Sequence, residues 1–347
     1  GRSRGGLGGN VSPFTNLAKL VSVQLLSGGG AISGKPDDPP ALAIKPVADA
    51  LGVYFRTLYE WWHGRSGIAA AVATGAAESF ELLDFESQVD PGRPAELRAP
   101  PGSKPDEALP LVLLLHGYTI NGSVQESYWG LSKFVQELGF RLLVPNGTVI
   151  EGATGRFWNG GPACCDFAEQ GPDDVAYLRA LVEEVSASYA VEGVHVLGHS
   201  NGGYMVHWLA CQAPEFADGH VSVAGLSSRD PRDCELPDGV RMLLIHGALD
   251  QDVPYEGEQS GDLSLLGAQD LARAWAEASG CDADSVSTSE SLDLDGSVEG
   301  AETEVLQYDS ACRGSAEVAL WSGQGVGHLP VFTESGQRAM LRWLLEP

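Results

Sequence analysis

The sequence predicts an α/β fold with a mainly parallel central sheet and helices on both faces. Continuous apolar runs of strand length recur at Pro110 to Leu115, Phe140 to Pro145, Val194 to Leu197, Val240 to Ile245 and Glu317 to Trp321. Such runs mark strands buried on both faces. Helical segments accompany them at Asp173 to Val182, Gly203 to Ala210, Leu266 to Ser279 and Thr333 to Leu345. Strands alternating with helices call for crossover connections, which cover both faces of a parallel sheet.

A chain of 347 residues with 43% hydrophobic content can bury one large core. Residues 80–347 read as that domain and residues 1–79 as an N-terminal extension. Gly1 to Asp38 is rich in Gly, Ser and Pro and reads as mostly flexible. Between Lys45 and His63, Pro46 suits a first helical turn, and Val47, Leu51, Tyr54, Phe55, Leu58 and Trp62 repeat at helical spacing. That amphipathic helix is expected to pack on the domain body. Ser79 to Phe85 and Arg93 to Ala99 read as antiparallel edge strands. Asp173 or Asp174 is expected to cap the helix that follows it. Val221 to Ala224 reads as a further strand.

Gly198-His199-Ser200-Asn201-Gly202 carries the chemistry. It joins the strand Val194 to Leu197 to the helix that starts at Gly203. In a nucleophile elbow the serine occupies a strained strand-to-helix turn that only small neighbours tolerate. Its hydroxyl stands above the sheet, and the next backbone N–H points at the reacting oxygen. Ser200 is therefore the expected nucleophile.

Its partners follow by elimination, because in this arrangement the acid and then the histidine come later on loops after successive strands. Of the histidines beyond Ser200, His207 lies in the following helix, and His220 and His246 lie in or at the ends of strands. His328 remains, in the loop Gly323-Gln324-Gly325-Val326-Gly327-His328. The acid is expected after the strand Val240 to Ile245, where the chain reads His246-Gly247-Ala248-Leu249-Asp250-Gln251-Asp252-Val253-Pro254. Asp250 comes first beyond the strand and is preferred. Asp252 reads as a turn residue. An oxyanion hole needs two N–H donors. Asn201 supplies one, and Tyr118, where the strand Pro110 to Leu115 breaks at His116-Gly117, supplies the second.

These motifs occur together with Arg156-Phe157-Trp158-Asn159, Ala163-Cys164-Cys165-Asp166, Asp173-Asp174-Val175 and Gly327-His328. In order and spacing they resemble the polyhydroxybutyrate depolymerase-like esterases, a group that includes feruloyl and acetylxylan esterases. The resemblance runs from about Phe80 to Pro347. It implies an α/β-hydrolase fold, a serine esterase mechanism without cofactor or metal, and secretion. It supports Ser200, Asp250 and His328 as the triad and places Trp158 near the substrate cleft. Independently of the resemblance, Tyr118 and His199 are candidate substrate-binding residues. The chain departs from the pattern in its N-terminal extension and in an acidic insertion. That insertion, Asp282 to Thr303, holds seven acidic residues and no Lys or Arg, and reads as a mobile surface loop.

A formal net charge of −26 opposes binding to nucleic acid and anionic lipid and favours a neutral or weakly charged ester, polymeric or small. No apolar stretch suits a membrane span, and a monomer is expected. Six cysteines fit disulfides of a secreted protein, with Cys211 to Cys234 and Cys281 to Cys312 as the expected pairs. Adjacent Cys164 and Cys165 do not readily bond each other in relaxed geometry, so at least one is expected to find another partner or stay free. The sequons at Asn10, Asn121 and Asn146 permit glycosylation, although Asn121-Gly122 also suits a turn. The chain opens without Met or a signal-like segment, consistent with a removed signal or a fragment. The alternatives to an esterase are a serine peptidase or thioesterase on the same fold, and a non-catalytic binding protein.

Overall fold

The computed structural model describes residues 79–260 and 263–346. The extension 1–78, with the helix expected between Lys45 and His63, lies outside the described residues. Six α-helices occur among the described residues: α1 (Gly122–Trp129), α2 (Val135–Leu138), α3 (Asp174–Ser188), α4 (Asn201–Gln212), α5 (Ala268–Ala278) and α6 (Glu334–Leu345).

The core is one ten-stranded sheet. Its strands, in spatial order, are β1 (Glu81–Leu82), β2 (Glu96–Ala99), β4 (Arg141–Val144), β3 (Leu109–Leu115), β7 (Val191–His199), β8 (Gly219–Val223), β9 (Arg241–Gly247), β14 (Glu317–Gly323), β13 (Thr303–Tyr308) and β12 (Ser287–Thr288). The pairings from β4 through β14 are parallel. The two strands at each edge are antiparallel. Two small hairpins lie apart from this sheet, β5 (Thr148–Val149) with β6 (Arg156–Phe157), and β10 (Gly257–Ser260) with β11 (Leu263–Leu266).

Alternation along the strands explains why both faces are covered. In β3, Leu111, Leu113 and Leu115 pack on the face formed with α3, α4 and α5, while Val112 and Leu114 pack on the face formed with α1, α2 and α6. β9 and β14 divide in the same way. Met242, Leu244, Val318 and Leu320 serve the first face, and Leu243, Ile245, Ala319 and Trp321 the second. Because the side-chain period of a strand is two, an unbroken apolar run feeds both cores at once.

Local signals set the helix ends. Asp173 caps α3 by accepting from the Ala176 N–H, whereas Asp174 turns inward to a buried ion pair with Arg93. The Asn121 side chain caps α1, and the Asn146 amide is 9% exposed and held between Gly122 and Pro94, so both sequon side chains are engaged by the fold. The helix expected to begin at Leu266 starts two residues later, since Leu266 pairs with Gly257 in the β10–β11 hairpin.

The insertion 282–303 differs from the expected mobile loop. Leu292 pairs with Thr303, Asp295 pairs with Phe332, and Leu294 and Asp295 are 1% and 2% exposed. Cys281–Cys312 ties its base and Cys211–Cys234 joins α4 to the loop before β9, as the sequence suggests. Cys164 and Cys165, in contrast, are bonded to each other. Their peptide is cis with Cα atoms 3.1 Å apart, and the expectation of other partners assumed a trans peptide.

Candidate active site

The candidate residues follow the carboxyl ends of β3, β7, β9 and β14, the usual place for a site in an open parallel sheet. β7 ends at His199, and Ser200 begins α4 with φ 55° and ψ −116°, a positive φ that a residue with a Cβ adopts only when its surroundings impose it. The flanking glycines permit that turn. A Cβ on Gly198 would stand 2.3 Å from the Gly202 carbonyl oxygen, and one on Gly202 would stand 2.3 Å from that of Leu115. The backbone of α4 therefore reaches β3 only because Gly202 has no side chain.

Three sequence-predicted residues meet here. The Ser200 hydroxyl lies 2.9 Å from His328 Nε2, and His328 Nδ1 donates to Asp250 Oδ2 at 2.8 Å. All three are buried, between 6% and 9% exposed. Asp250 is fixed on its other side, because Oδ1 accepts the N–H groups of Asp252 and Val253, each at 2.9 Å. Burial works to raise the Asp250 carboxyl, but hydrogen bonding from His246 and His328, the charge of His328 and the Val253 N–H outweigh it and hold the group well below the usual carboxylate range.

Asp252 contributes its backbone to this turn. The residue is exposed, with its pKa raised by partial desolvation and by the Asp250 charge against the pull of His328. Asp250, Asp252 and His328 present ligand atoms within 4.8 Å of one another, the one such group among the described residues, and two of the three are already hydrogen-bonded to each other.

Sequence reasoning passed over His246. At the end of β9, its Nε2 donates to the Val253 carbonyl at 2.9 Å and stands 3.4 Å from Asp250 Oδ2. It thus braces the turn that presents the acid. The spacing His246-x-x-x-Asp250 was the available signal, but it gains meaning only when strand and turn fold back on each other.

The loop expected to supply an oxyanion donor is fixed on both sides of Tyr118. The Gly117 N–H donates to Gln125 Oε1 at 3.1 Å and the Thr119 N–H donates to the Arg156 carbonyl at 2.8 Å. Among the described residues, the N–H groups of Tyr118 and Asn201 have no acceptor. His116 anchors this loop from below. It accepts from the Gly147 N–H at 2.9 Å and donates to the Gly117 carbonyl at 2.8 Å, and burial lowers its pKa to about 3.

Trp158 and His199, expected at the substrate, support the site from beneath. Trp158 is fully buried against His116 and Arg93. Its backbone N–H donates to Asn201 Oδ1 and its carbonyl accepts from Asn201 Nδ2, both at 2.8 Å, so it locks the residue that follows Ser200. His199 is 3% exposed and donates from Nε2 to the His328 carbonyl at 2.9 Å. Tyr118 is half-buried, its ring edge-on to Phe167, which is 71% exposed. Leu249 and Leu329, immediately beside Asp250 and His328, are 61% and 51% exposed.

No protein-family model matches the sequence. A protein named "Putative esterase NocK" from Nocardia uniformis subsp. tsuyamanensis is 32% identical over 247 residues, covering 70% of this chain. The chain spans 66% of that relative's length, just short of two thirds. Among solved structures, an acetyl xylan esterase from Aspergillus awamori superposes with a TM-score of 0.54 at 15% identity, over 76% of this chain and 98% of that one. A likeness at that identity speaks for the fold, and the strand order with its crossovers agrees with it. The chain has the α/β-hydrolase fold and is similar in sequence to a protein named as an esterase.

Proposed function

We propose that the chain is a serine carboxylesterase acting through an acyl-enzyme on Ser200. The unbroken line of hydrogen bonds from Ser200 through His328 to Asp250 carries this reading. Ser200 Oγ attacks the acyl carbonyl carbon as His328 Nε2 takes its proton, and Asp250 holds the resulting imidazolium. The oxyanion accepts from the N–H groups of Asn201 and Tyr118. Collapse breaks the ester C–O bond, and the leaving alcohol takes the proton from His328. Water, deprotonated by the same imidazole, then attacks the acyl-enzyme, releases the acid and restores Ser200. Every group this chemistry needs is a protein group.

The exposed apolar side chains of Phe167, Leu249 and Leu329, with Tyr118, suit an uncharged, apolar acyl group. Polyester, feruloyl and acetyl-xylan esters, the substrate types of the resembling family, are the classes to compare. Three disulfides support an oxidising, extracellular setting.

The test is hydrolysis of p-nitrophenyl esters of increasing acyl length, a feruloyl ester, a thioester and an anilide, together with labelling by a fluorophosphonate. Wild type is expected to cleave the oxygen esters fastest, with kcat/KM rising from acetyl to butyryl, and to be labelled once per chain. Ser200→Ala is expected to lose both properties. A folded wild type that neither hydrolyses nor labels would overturn the reading.

A further inference from the structure

The acidic insertion brackets the loop that carries His328 on both of its flanks. Before the histidine, the Gln324 N–H donates to the Glu302 carbonyl at 3.0 Å. After it, the Val331 N–H donates to Asp295 Oδ2 at 3.1 Å, the Gly296 N–H donates to the Val331 carbonyl at 2.8 Å, and the Thr333 N–H donates to the Leu294 carbonyl at 2.8 Å. The Thr333 hydroxyl adds a bond to the Asp293 carbonyl at 2.7 Å.

The insertion is itself closed around two buried carboxylates. Glu302 Oε1 accepts from the N–H groups of Leu294 and Asp295 and from the Thr303 hydroxyl, at 3.2, 3.0 and 2.7 Å. Asp295 Oδ1 accepts from both the N–H and the hydroxyl of Ser297, at 2.8 and 2.6 Å. Asp295 thus faces two ways, with one oxygen shaping the insertion and the other reaching the histidine loop. The loop is also tied by the Ala248 N–H to the Gly323 carbonyl, the Leu249 N–H to the Val326 carbonyl, His199 to the His328 carbonyl and the Tyr128 hydroxyl to the Pro330 carbonyl.

We propose that the insertion 282–303 is a clamp that positions His328, with Asp295 as its principal positioning residue. The proposal rests on the esterase reading. A loop rich in glycine has high conformational freedom, and a nucleophile-to-base hydrogen bond tolerates little displacement. The clamp removes that freedom at Val331 to Thr333, three residues beyond the imidazole.

The experiment compares wild type, Asp295→Ala, Asp295→Asn, His328→Ala and the double variant Asp295→Ala/His328→Ala, well below their melting temperatures. It reads kcat and KM on p-nitrophenyl butyrate and the rate of fluorophosphonate labelling. Asp295→Ala is expected to lower kcat and the labelling rate ten- to a hundredfold, with KM within about twofold of wild type. The same change in the His328→Ala background should cost nothing further, because the residue acts through the imidazole. Asp295→Asn, which keeps one acceptor and carries the test if the alanine variant does not fold, should lose at least threefold. A kcat within twofold of wild type for both Asp295 variants, or an equal further loss without His328, would overturn the clamp. An inactive, unlabelled wild type would overturn the esterase reading instead.

Discussion

At Asp250 the two carboxylate oxygens have different neighbours, and this makes the consequence of an amide there calculable. Oδ1 accepts two backbone N–H groups, so in Asp250→Asn the carbonyl oxygen must take that place and the NH2 must face His328. His328 Nδ1 then has to accept, its proton moves to Nε2, and Nε2 can no longer take a proton from Ser200. Turnover is expected to fall about 10³- to 10⁴-fold, while Asp252→Asn stays within several-fold. Comparable losses in the two variants would show that the acid is misassigned. Asn201 offers a second case. Its side chain satisfies both the N–H and the carbonyl of Trp158, and Asn201 is 1% exposed. Asn201→Ala leaves the buried Trp158 N–H without a partner, while the Trp158 carbonyl keeps the Gly160 N–H, and is expected to cost about 1–3 kcal/mol in urea unfolding. A change below 0.5 kcal/mol would mean that the region rearranges freely.

At the scale of elements, the contact between β3 and α4 is as close as backbone allows. Gly202→Ala would push a methyl against the Leu115 carbonyl, and neither a central strand nor a helix start is free to move aside. The variant is expected to lose about 3 kcal/mol or more, a cost typical of severe overpacking. The measurement is thermal unfolding alongside Gly300→Ala, where the added Cβ meets open space and the cost is the smaller one of a positive φ. Equal melting temperatures for the two variants would remove the steric argument. The same closeness explains the strained φ of Ser200, since the turn must pass from the end of β7 into a helix lying on β3.

For the molecule as a whole, buried histidines set the response to acid. Burial, the chief cause in each case, lowers the pKa of His116, His199 and His207 to about 3 and that of His220 to about 4, and it lowers His195. In the unfolded chain these residues titrate near 6.5. Between that value and the folded one, the unfolded state binds protons that the folded state excludes, so stability is full above about pH 6.5 and falls as the pH drops. Each such histidine contributes about 1.4 kcal/mol per pH unit once well below 6.5. Acid also relieves the repulsion of a net charge of −26, but at 0.15 M salt distant surface charges are largely screened. The melting temperature is therefore expected to fall steadily from pH 7 to pH 5. A flat or rising profile would show that relief of charge repulsion dominates.

The sequence by itself determined the parallel sheet, the strand that ends in the elbow, and the residues Ser200, Asp250 and His328 that the fold brings together. These signals are local: apolar runs, glycines around a serine, and short loops after successive strands. It also determined two disulfide pairs, because Cys211 and Cys234 flank one strand and Cys281 and Cys312 flank one insertion. Only the tertiary structure decided what braces these residues. Asp174, the residue after the cap, pairs with Arg93, 81 positions earlier, His246 folds back on Asp250, and Trp158 holds Asn201, 43 positions away. The insertion, which composition alone presents as a solvated acidic loop, is held by Asp295 against Val331, 36 positions on. Local physics places a side chain on a strand, helix or turn. Whether a polar group is buried, and which distant partner then satisfies it, follows from packing, because an unpaired buried group costs more than ordering its partner.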